Sequence, residues 1–348
     1  MTASRYLAAD PIPLLLEARH PHLRYRTLRD LVGLTDDDAE LREARERLSG
    51  TAHAARLRRA IHGGVVGDAR RFDLYGSGMM WRFIEAVALG FDRRDDFVRD
   101  TAERILARCQ LPDGGFTLAW RPAIALACRT GDMLRALIEA GYADDARVLR
   151  GLSWIRERQR SDGGWLHCPQ EGWRDALGLV LLGRSGGGLR REGRTAVPSC
   201  PIATHACTDA LLRHARTTGR APEGALDGAA EFFLAHRCFV RPNRSDIPSR
   251  CERGGLHEWS SLGYPLMTHY DILAGLSVVA GAGRIDDSRS GEAFNTLIEK
   301  QNADGTWAME RFSSGMLFGS RRTIDDEEAR KWTTLRVLQF FNDAGLAT

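Results

Sequence analysis

A short phrase with the pattern Gln-x-x-Asp-Gly-x-aromatic occurs three times in this chain of 348 residues. Its copies occupy residues 110–116, 159–165 and 301–307. Asp113 and Asp162 lie 49 residues apart, and Asp304 lies a further 142 residues along the chain, close to three such steps. The spacing therefore predicts a repeated unit of about 48 residues, with two degenerate copies between the second and third phrases.

Each repeated unit is predicted to be a hairpin of two helices. The phrase closes the second helix, because its Asp-Gly pair favours the left-handed turn that ends a helix. Apolar first helices are predicted over residues 22–34, 77–90, 130–141, 202–216, 266–281 and 331–344. More charged second helices are predicted over residues 37–61, with a break near Gly50, and over residues 94–109, 145–158, 224–237, 288–300 and 12–19.

Six such hairpins predict an all-α fold, an α6/α6 toroid in which apolar inner helices alternate with amphipathic outer helices. Residues 1–348 are predicted to form one domain, with irregular excursions over one rim near 182–197 and 237–262, where Gly, Arg and Pro are frequent. Acidic pairs open several second helices. They could hold magnesium against a diphosphate, but their recurrence at helix starts favours helix capping.

The composition excludes several classes of function. The 49 basic and 46 acidic residues are interspersed and give a formal net charge of +3, so we expect no nucleic-acid partner. No stretch approaches the roughly 20 apolar residues that cross a bilayer, and the N-terminus has no apolar signal core. We therefore expect a cytoplasmic protein without a transmembrane segment, whose seven cysteines are free thiols or metal ligands. The oligomeric state stays open.

The phrases and the alternating helices resemble the terpenoid cyclase and protein prenyltransferase toroid superfamily. More closely, the chain is similar, over nearly its whole length, to small bacterial proteins called prenyltransferase or squalene-oxidase repeat proteins. The shared phrases include Arg26-Thr-Leu-Arg-Asp30, Cys128-Arg-Thr-Gly131, Tyr264-Pro265 and Lys331-Trp-Thr-Thr-Leu335. The resemblance implies the toroid but no single activity, because such toroids include ring-forming cyclases, zinc-dependent prenyltransferases, thioether-forming peptide cyclases and non-catalytic binding proteins.

Two branches of this superfamily are defined by residues that the chain lacks. Squalene-type cyclases carry an Asp-x-Asp-Asp string, and the sequence contains none. The farnesyl-transferring branch holds zinc with an Asp-x-Cys pair, and no such pair occurs around residues 202–211. The catalytic acid and the zinc ligands of these branches are therefore not transferred to this chain.

Three cysteines are predicted to lie at the rim that the phrase loops share with the N-termini of the inner helices. Cys128 precedes the third inner helix, Cys168 follows the second phrase and Cys200 opens the fourth inner helix. Helix N-termini stabilise thiolates, so these cysteines predict a zinc site, with His205 as a fourth ligand. The alternative is that they are small residues, buried where helices crowd together.

Asp271 and His269 are predicted to transfer a proton near the N-terminus of the fifth inner helix. An Asp within an otherwise apolar face can keep its proton at neutral pH and serve as a general acid. The alternative is that Asp271 orients His269 or anchors an arginine. Six aromatic residues are predicted either to line a substrate cavity or to pack the core of the toroid, namely Trp81, Trp120, Tyr264, Tyr270, Trp259 and Trp332.

Together these features favour an enzyme that acts on an isoprenoid-like or other hydrophobic natural-product substrate by cyclisation or group transfer. The partner is expected to be a hydrophobic small molecule or a modified peptide. Two alternatives remain. One is a non-catalytic binding protein with structural zinc, and the other is a metal-free terpene cyclase or lyase in which Asp271 starts the reaction.

Overall fold

The structure, a computed structural model, describes residues 5–17, 19–61, 78–117, 125–166, 199–220, 224–239, 259–266, 269–312 and 324–346. Thirteen α-helices lie in these ranges, namely α1 Ile12–Leu16, α2 Pro21–Thr27, α3 Ala39–Leu48, α4 Ala52–Ala60, α5 Met79–Ala88, α6 Asp96–Arg108, α7 Ala127–Leu137, α8 Ala146–Arg156, α9 Pro201–Thr218, α10 Ala225–Ala235, α11 Ile272–Gly281, α12 Gly291–Glu299 and α13 Asp326–Asp343. π-Helical turns extend α2 over Leu28–Val32 and α7 over Ile138–Tyr142. Across the described ranges the only β-structure is isolated bridges, and no helix is long and apolar enough to cross a membrane.

Six helices form a closed ring in the order α2, α5, α7, α9, α11 and α13. From α5 to α13, each of these helices packs against the next one. The ring closes because α13 packs against α2 and its π-helical turn, while His22 and Arg26 of α2 bind the carbonyl groups of Leu89 and Ala88 at the end of α5. The prediction of an all-α toroid is therefore confirmed by the described helices.

Inner and outer helices differ in how much of their surface is buried. Every residue from Met79 to Val87 of the inner helix α5 is buried, including Arg82 and Glu85, which form an ion pair. The outer helix α6 buries one stripe, namely Phe97, Val98, Thr101, Ala102, Ile105 and Leu106. A single stripe packs an outer helix against the ring, whereas burial on all sides requires neighbours in every direction.

Several helix boundaries differ from those predicted. Helix α11 begins at Ile272, well after residue 266, because Asp271 caps it by accepting a hydrogen bond of 3.0 Å from the Ala274 N–H. Helix α13 begins at Asp326, before residue 331, and Asp325 caps it. The segment predicted as an outer helix over 12–19 contains only the five residues of α1, which pack against α2 and α13. The predicted break near Gly50 is confirmed, since α3 ends before it and α4 starts after it.

Two of the acidic pairs act as caps, as predicted, whereas Asp38 before α3 and Asp95 before α6 make no side-chain cap bond. Asp145 accepts a hydrogen bond from the Arg147 N–H and binds the guanidinium of the same residue, which also reaches Glu103 of α6. The same arrangement of Asp287 and Arg289 links α12 to α10. Each cap therefore also ties one outer helix to its neighbour.

The second phrase connects three helices. The side-chain amide of Gln159 donates to the carbonyl of Ala225, the first residue of α10, at 2.7 Å. The Trp165 indole N–H donates to the carbonyl of Ile155 in α8 at 2.9 Å, and its backbone N–H donates to the Thr204 hydroxyl in α9 at 3.1 Å. The phrase therefore joins two outer helices to the inner helix between them.

The first and third phrases repeat the bond to a threonine of the next inner helix. Phe116 N–H donates to the Thr130 hydroxyl at 2.9 Å, and Trp307 N–H donates to the Thr334 hydroxyl at 3.0 Å. The predicted left-handed turns are present, with φ of 103°, 83° and 78° at Gly114, Gly163 and Gly305. The sequence pattern did not single out these threonines, because their partners lie outside their own helix.

We expect Thr204→Val to reduce the free energy of unfolding by about 1–3 kcal/mol, because it removes the hydroxyl that accepts from the buried Trp165 N–H while keeping the volume. Urea unfolding measures the change. The matched control is Thr296→Val, since that exposed hydroxyl binds only the Glu292 carbonyl of its own helix, and it should stay within about 0.5 kcal/mol of the wild type. Equal effects of the two substitutions would contradict the role of Thr204.

Candidate functional site

Opposite charges spaced four residues apart occur on three inner helices, namely Arg26 and Asp30, Arg135 and Glu139, and Asp209 and Arg213. Residues four apart lie on the same face of a helix. In each case that face lines a cavity inside the ring of inner helices. An ionic network therefore lies along the axis of the toroid, where a purely apolar wall would otherwise be expected.

Glu139 is the centre of this network. Its carboxylate accepts a hydrogen bond of 2.6 Å from Arg26 and lies 3.3 Å from Arg213 and 3.6 Å from Arg29. Burial opposes ionisation, but the arginines outweigh it and hold the pKa of Glu139 well below its usual range. Arg26 is almost fully buried and also pairs with Asp30 at 2.6 Å.

Helix α13 extends the network to the far side of the ring. The amide of Gln339 donates to the Asp30 carboxylate at 2.8 Å, and Asp343 pairs with Arg216 of α9. The charged groups of α2, α7, α9 and α13 are therefore neutralised by one another across the axis. Such groups can be buried because each has a partner of opposite charge.

Two adjacent cavities lie along this axis, with volumes of about 100 Å³ and 240 Å³. Both are lined by Arg26, Glu139, Arg213, Arg216, Gln339 and Asp343. The smaller cavity also has apolar wall residues, among them Leu212, Tyr264, Leu266 and Phe340. A molecule in this space would contact apolar surface on one side and charges of both signs on the other.

His205 lines the smaller cavity. The titratable groups that act on its imidazole are Asp209, Arg336, Asp271 and Arg135. Those that act on the Cys207 thiol are Cys128, Asp132 and Cys200. Cys128 and Cys200, with which His205 was predicted to share a zinc ion, are not among the residues that line this cavity.

Cys128 and Cys200 are buried beside the close crossing of α7 and α9. A Cβ atom on Gly131 would lie only 2.4 Å from the Ala206 carbonyl carbon, so small residues are required there. Within the described ranges, no three His, Cys, Asp or Glu side chains form a group that could hold a metal ion. Cys168 lies outside the described residues, so the zinc prediction, with His205 as a fourth ligand, stays a prediction.

Asp271 is ionised, which contradicts its predicted role as a protonated general acid. Its carboxylate accepts a hydrogen bond of 2.8 Å from Arg336 of α13 and caps α11. Burial alone would raise the pKa of this carboxyl, but Arg336 outweighs burial and lowers it. The alternative, that Asp271 anchors an arginine, is what the geometry shows. Burial, and then the charge of Arg311, lower the pKa of His269 to about 4, so its imidazole is neutral.

Most of the predicted cavity aromatics pack against other side chains. Tyr264 lines the smaller cavity, stacks on Trp332 with 4.9 Å between ring centroids, and donates its hydroxyl to the Ala88 carbonyl. Tyr270 stacks on Phe233, and Trp259 meets the edge of that pair. Arg129 lies over the ring of Trp81. Trp120 lies outside the described residues, so of the six aromatics only Tyr264 is placed on the wall of either cavity.

No family description and no curated protein matches the chain. Among solved structures, the apo form of type II terpene cyclase MstE from Scytonema is 15% identical over 89% of this chain and 84% of that chain, with a TM-score of 0.43. A variant of MstE in complex with its substrate geranylgeranyl dihydroxybenzoate is 15% identical over 94% and 87%, with a TM-score of 0.44. A UGL variant with dGlcA-Glc-Rha-Glc is 16% identical over 92% and 84%, with a TM-score of 0.43. At such low identity the similarity concerns the fold alone.

We expect Glu139→Gln to reduce the free energy of unfolding by about 3 kcal/mol or more, because it leaves the buried Arg26 and the half-buried Arg213 without their shared anion. Thermal and urea unfolding measure the loss. The control is Glu103→Gln, which removes a half-exposed partner of Arg147 and should change stability by less than about 1 kcal/mol. A Glu139→Gln variant as stable as the control would show that the axial network contributes little to folding.

Proposed function

We propose that this chain is a terpenoid-cyclase-like enzyme, in which part of an isoprenoid-like or other hydrophobic natural-product substrate occupies the axial cavity and undergoes cyclisation or group transfer. The observation that carries the proposal is the combination, inside one closed ring, of apolar wall residues with ionisable groups whose pKa values are displaced from their ordinary values. Displaced pKa values in an enclosed site are typical of catalytic centres.

The size of the cavities limits how much substrate they can hold. Small-molecule sites measure roughly 300–1,000 Å³, whereas the described cavities measure about 100 Å³ and 240 Å³. A chain of several isoprene units therefore requires space beyond them, and the described space suits one end of such a molecule. Because the cavity wall has both apolar and charged residues, it favours an end of the substrate that combines apolar carbon with a polar group.

Two other functions are compatible with a toroid of this kind. A metal-free reaction started by a protonated Asp271 is not proposed, because that carboxylate is ionised beside Arg336. A non-catalytic binding protein is favoured by one observation, namely that the arginines and carboxylates of the axial network are already paired with each other and could serve only to close the ring. An enzyme would convert its ligand to a product, whereas a binding protein would bind the ligand and leave it unchanged.

We expect the protein to convert at least one of three probes, farnesyl diphosphate, geranylgeranyl diphosphate or squalene, in an assay read by mass spectrometry. Ser277→Phe places a ring in the smaller cavity and should reduce turnover at least about 10-fold. Ser153→Phe, on the exposed face of α8, is the matched control and should retain activity. Binding of a probe without turnover would support the binding protein, and absence of both would overturn the proposal.

Zinc at Cys128, Cys168 and Cys200 remains a separate prediction, and no step of the proposed reaction passes through it. It predicts about one zinc equivalent per chain in protein purified without a His tag, and a loss of that zinc in Cys200→Ser. Cys109→Ser, which alters a buried thiol at the C-cap of α6, is the control. A zinc content below about 0.2 equivalents in the wild type would contradict the prediction.

A further inference from the structure

One imidazole in the axial cavity is held differently from those of His20 and His22. His22 places its ring nitrogens 2.9 Å from the Leu89 carbonyl and 2.8 Å from the Thr51 hydroxyl. His20 pairs with Glu328 at 2.7 Å. His205 lines the smaller cavity, and its ring makes no hydrogen bond with any residue that the structure describes. Its ring nitrogens are therefore available to a molecule in the cavity.

The other ionisable groups in and beside the cavity are already engaged. Asp271 pairs with Arg336, Glu139 with Arg26, Asp209 with Arg213, Asp132 with Arg129 and Asp343 with Arg216. The Tyr264 hydroxyl donates to a carbonyl, and burial raises its pKa to about 12. Among the described groups on this wall, the imidazole of His205 is thus the one that can accept a proton without breaking an ion pair.

The surroundings of His205 keep its imidazole neutral. Burial is the main cause that lowers its pKa to about 4, and the positive charges of Arg336 on α13 and Arg135 on α7 act in the same direction. The carboxylates of Asp209 on α9 and Asp271 beside α11 oppose this shift, and Arg26 of α2 and Asp132 of α7 also face the cavity. At neutral pH the ring therefore presents a free lone pair.

We infer that His205 is the catalytic base of this site and removes a proton from the substrate in the step that forms a double bond. The inference rests on the proposed function and takes an allylic diphosphate as the substrate, which breaks its C–O bond, releases diphosphate and cyclises as a carbocation in the cavity. The lone pair of His205 takes the proton from the carbon next to the cationic carbon, and the electron pair of that C–H bond becomes the new C=C bond. The imidazolium, beside Asp209 and Asp271, then releases its proton to water.

The protonation state of His205 is tested without any substrate. In protein labelled with ¹⁵N-histidine, the resonances lost in His205→Gln identify the residue, and their shifts are followed from pH 7 to pH 5. The expected result is a ring that stays neutral over this range, consistent with a pKa of about 4. A His205 that is protonated at pH 6–7 would overturn its role as a base, whether or not the protein is an enzyme.

The catalytic role is tested with the probe that the wild type converts. His205→Gln should lower kcat by about 100-fold or more with little change in KM, and should shift products from alkenes to alcohols as water captures the cation. His214→Gln is the matched control, because His214 lies on α9 near Arg156 and Asp144 and does not line either cavity.

The outcomes separate the inference from the proposed function. If the wild type is active and His205→Gln has the kcat and products of His214→Gln, the inference fails while the enzyme stands. If the wild type converts none of the probes, the proposed function fails and the base role falls with it. A loss of kcat with an altered product ratio in His205→Gln alone supports both.

Discussion

The structure depends on the neutralisation of charge at the axis of the helical ring. A carboxylate such as Glu139 is buried at acceptable cost only because arginines from two other inner helices and from the π-helical turn of α2 approach it. The pairs therefore act across the ring and not merely along one helix. The same ion pairs therefore help to close the ring and make its interior polar.

The rim of the ring is maintained by a second set of bonds that repeats along the sequence. Each phrase places an aromatic residue whose backbone N–H binds a threonine of the next inner helix. The acidic caps of α8 and α12 link neighbouring outer helices through arginines. The bonds to threonine satisfy buried backbone N–H groups, whereas the arginine contacts join partly exposed side chains. The bonds at the rim thus fix the spacing between neighbouring hairpins, and the ion pairs at the axis fix the polarity of the interior of the ring.

The functional site combines features that a purely packed core would not require. His205 faces a cavity without a hydrogen-bond partner in the described part of the chain, whereas Cys128 and Cys200 lie at a helix crossing that admits only small residues. Asp271, which holds Arg336, contributes charge and position but not a proton. The packing of α9 against its neighbours therefore places His205 on the wall of the cavity and leaves Cys128 and Cys200 among packed side chains.

The sequence by itself determined the hairpin repeat, the alternation of inner and outer helices and the left-handed turns, because each depends on local periodicity or on residues a few positions apart. It also contained, unrecognised, the charge pairs four residues apart on α2, α7 and α9. Only the tertiary structure decided that Glu139 joins three arginines, that Asp271 is paired and that His205 lines a cavity. These outcomes depend on which helix faces meet across the ring, and that is set by the packing of all the inner helices together.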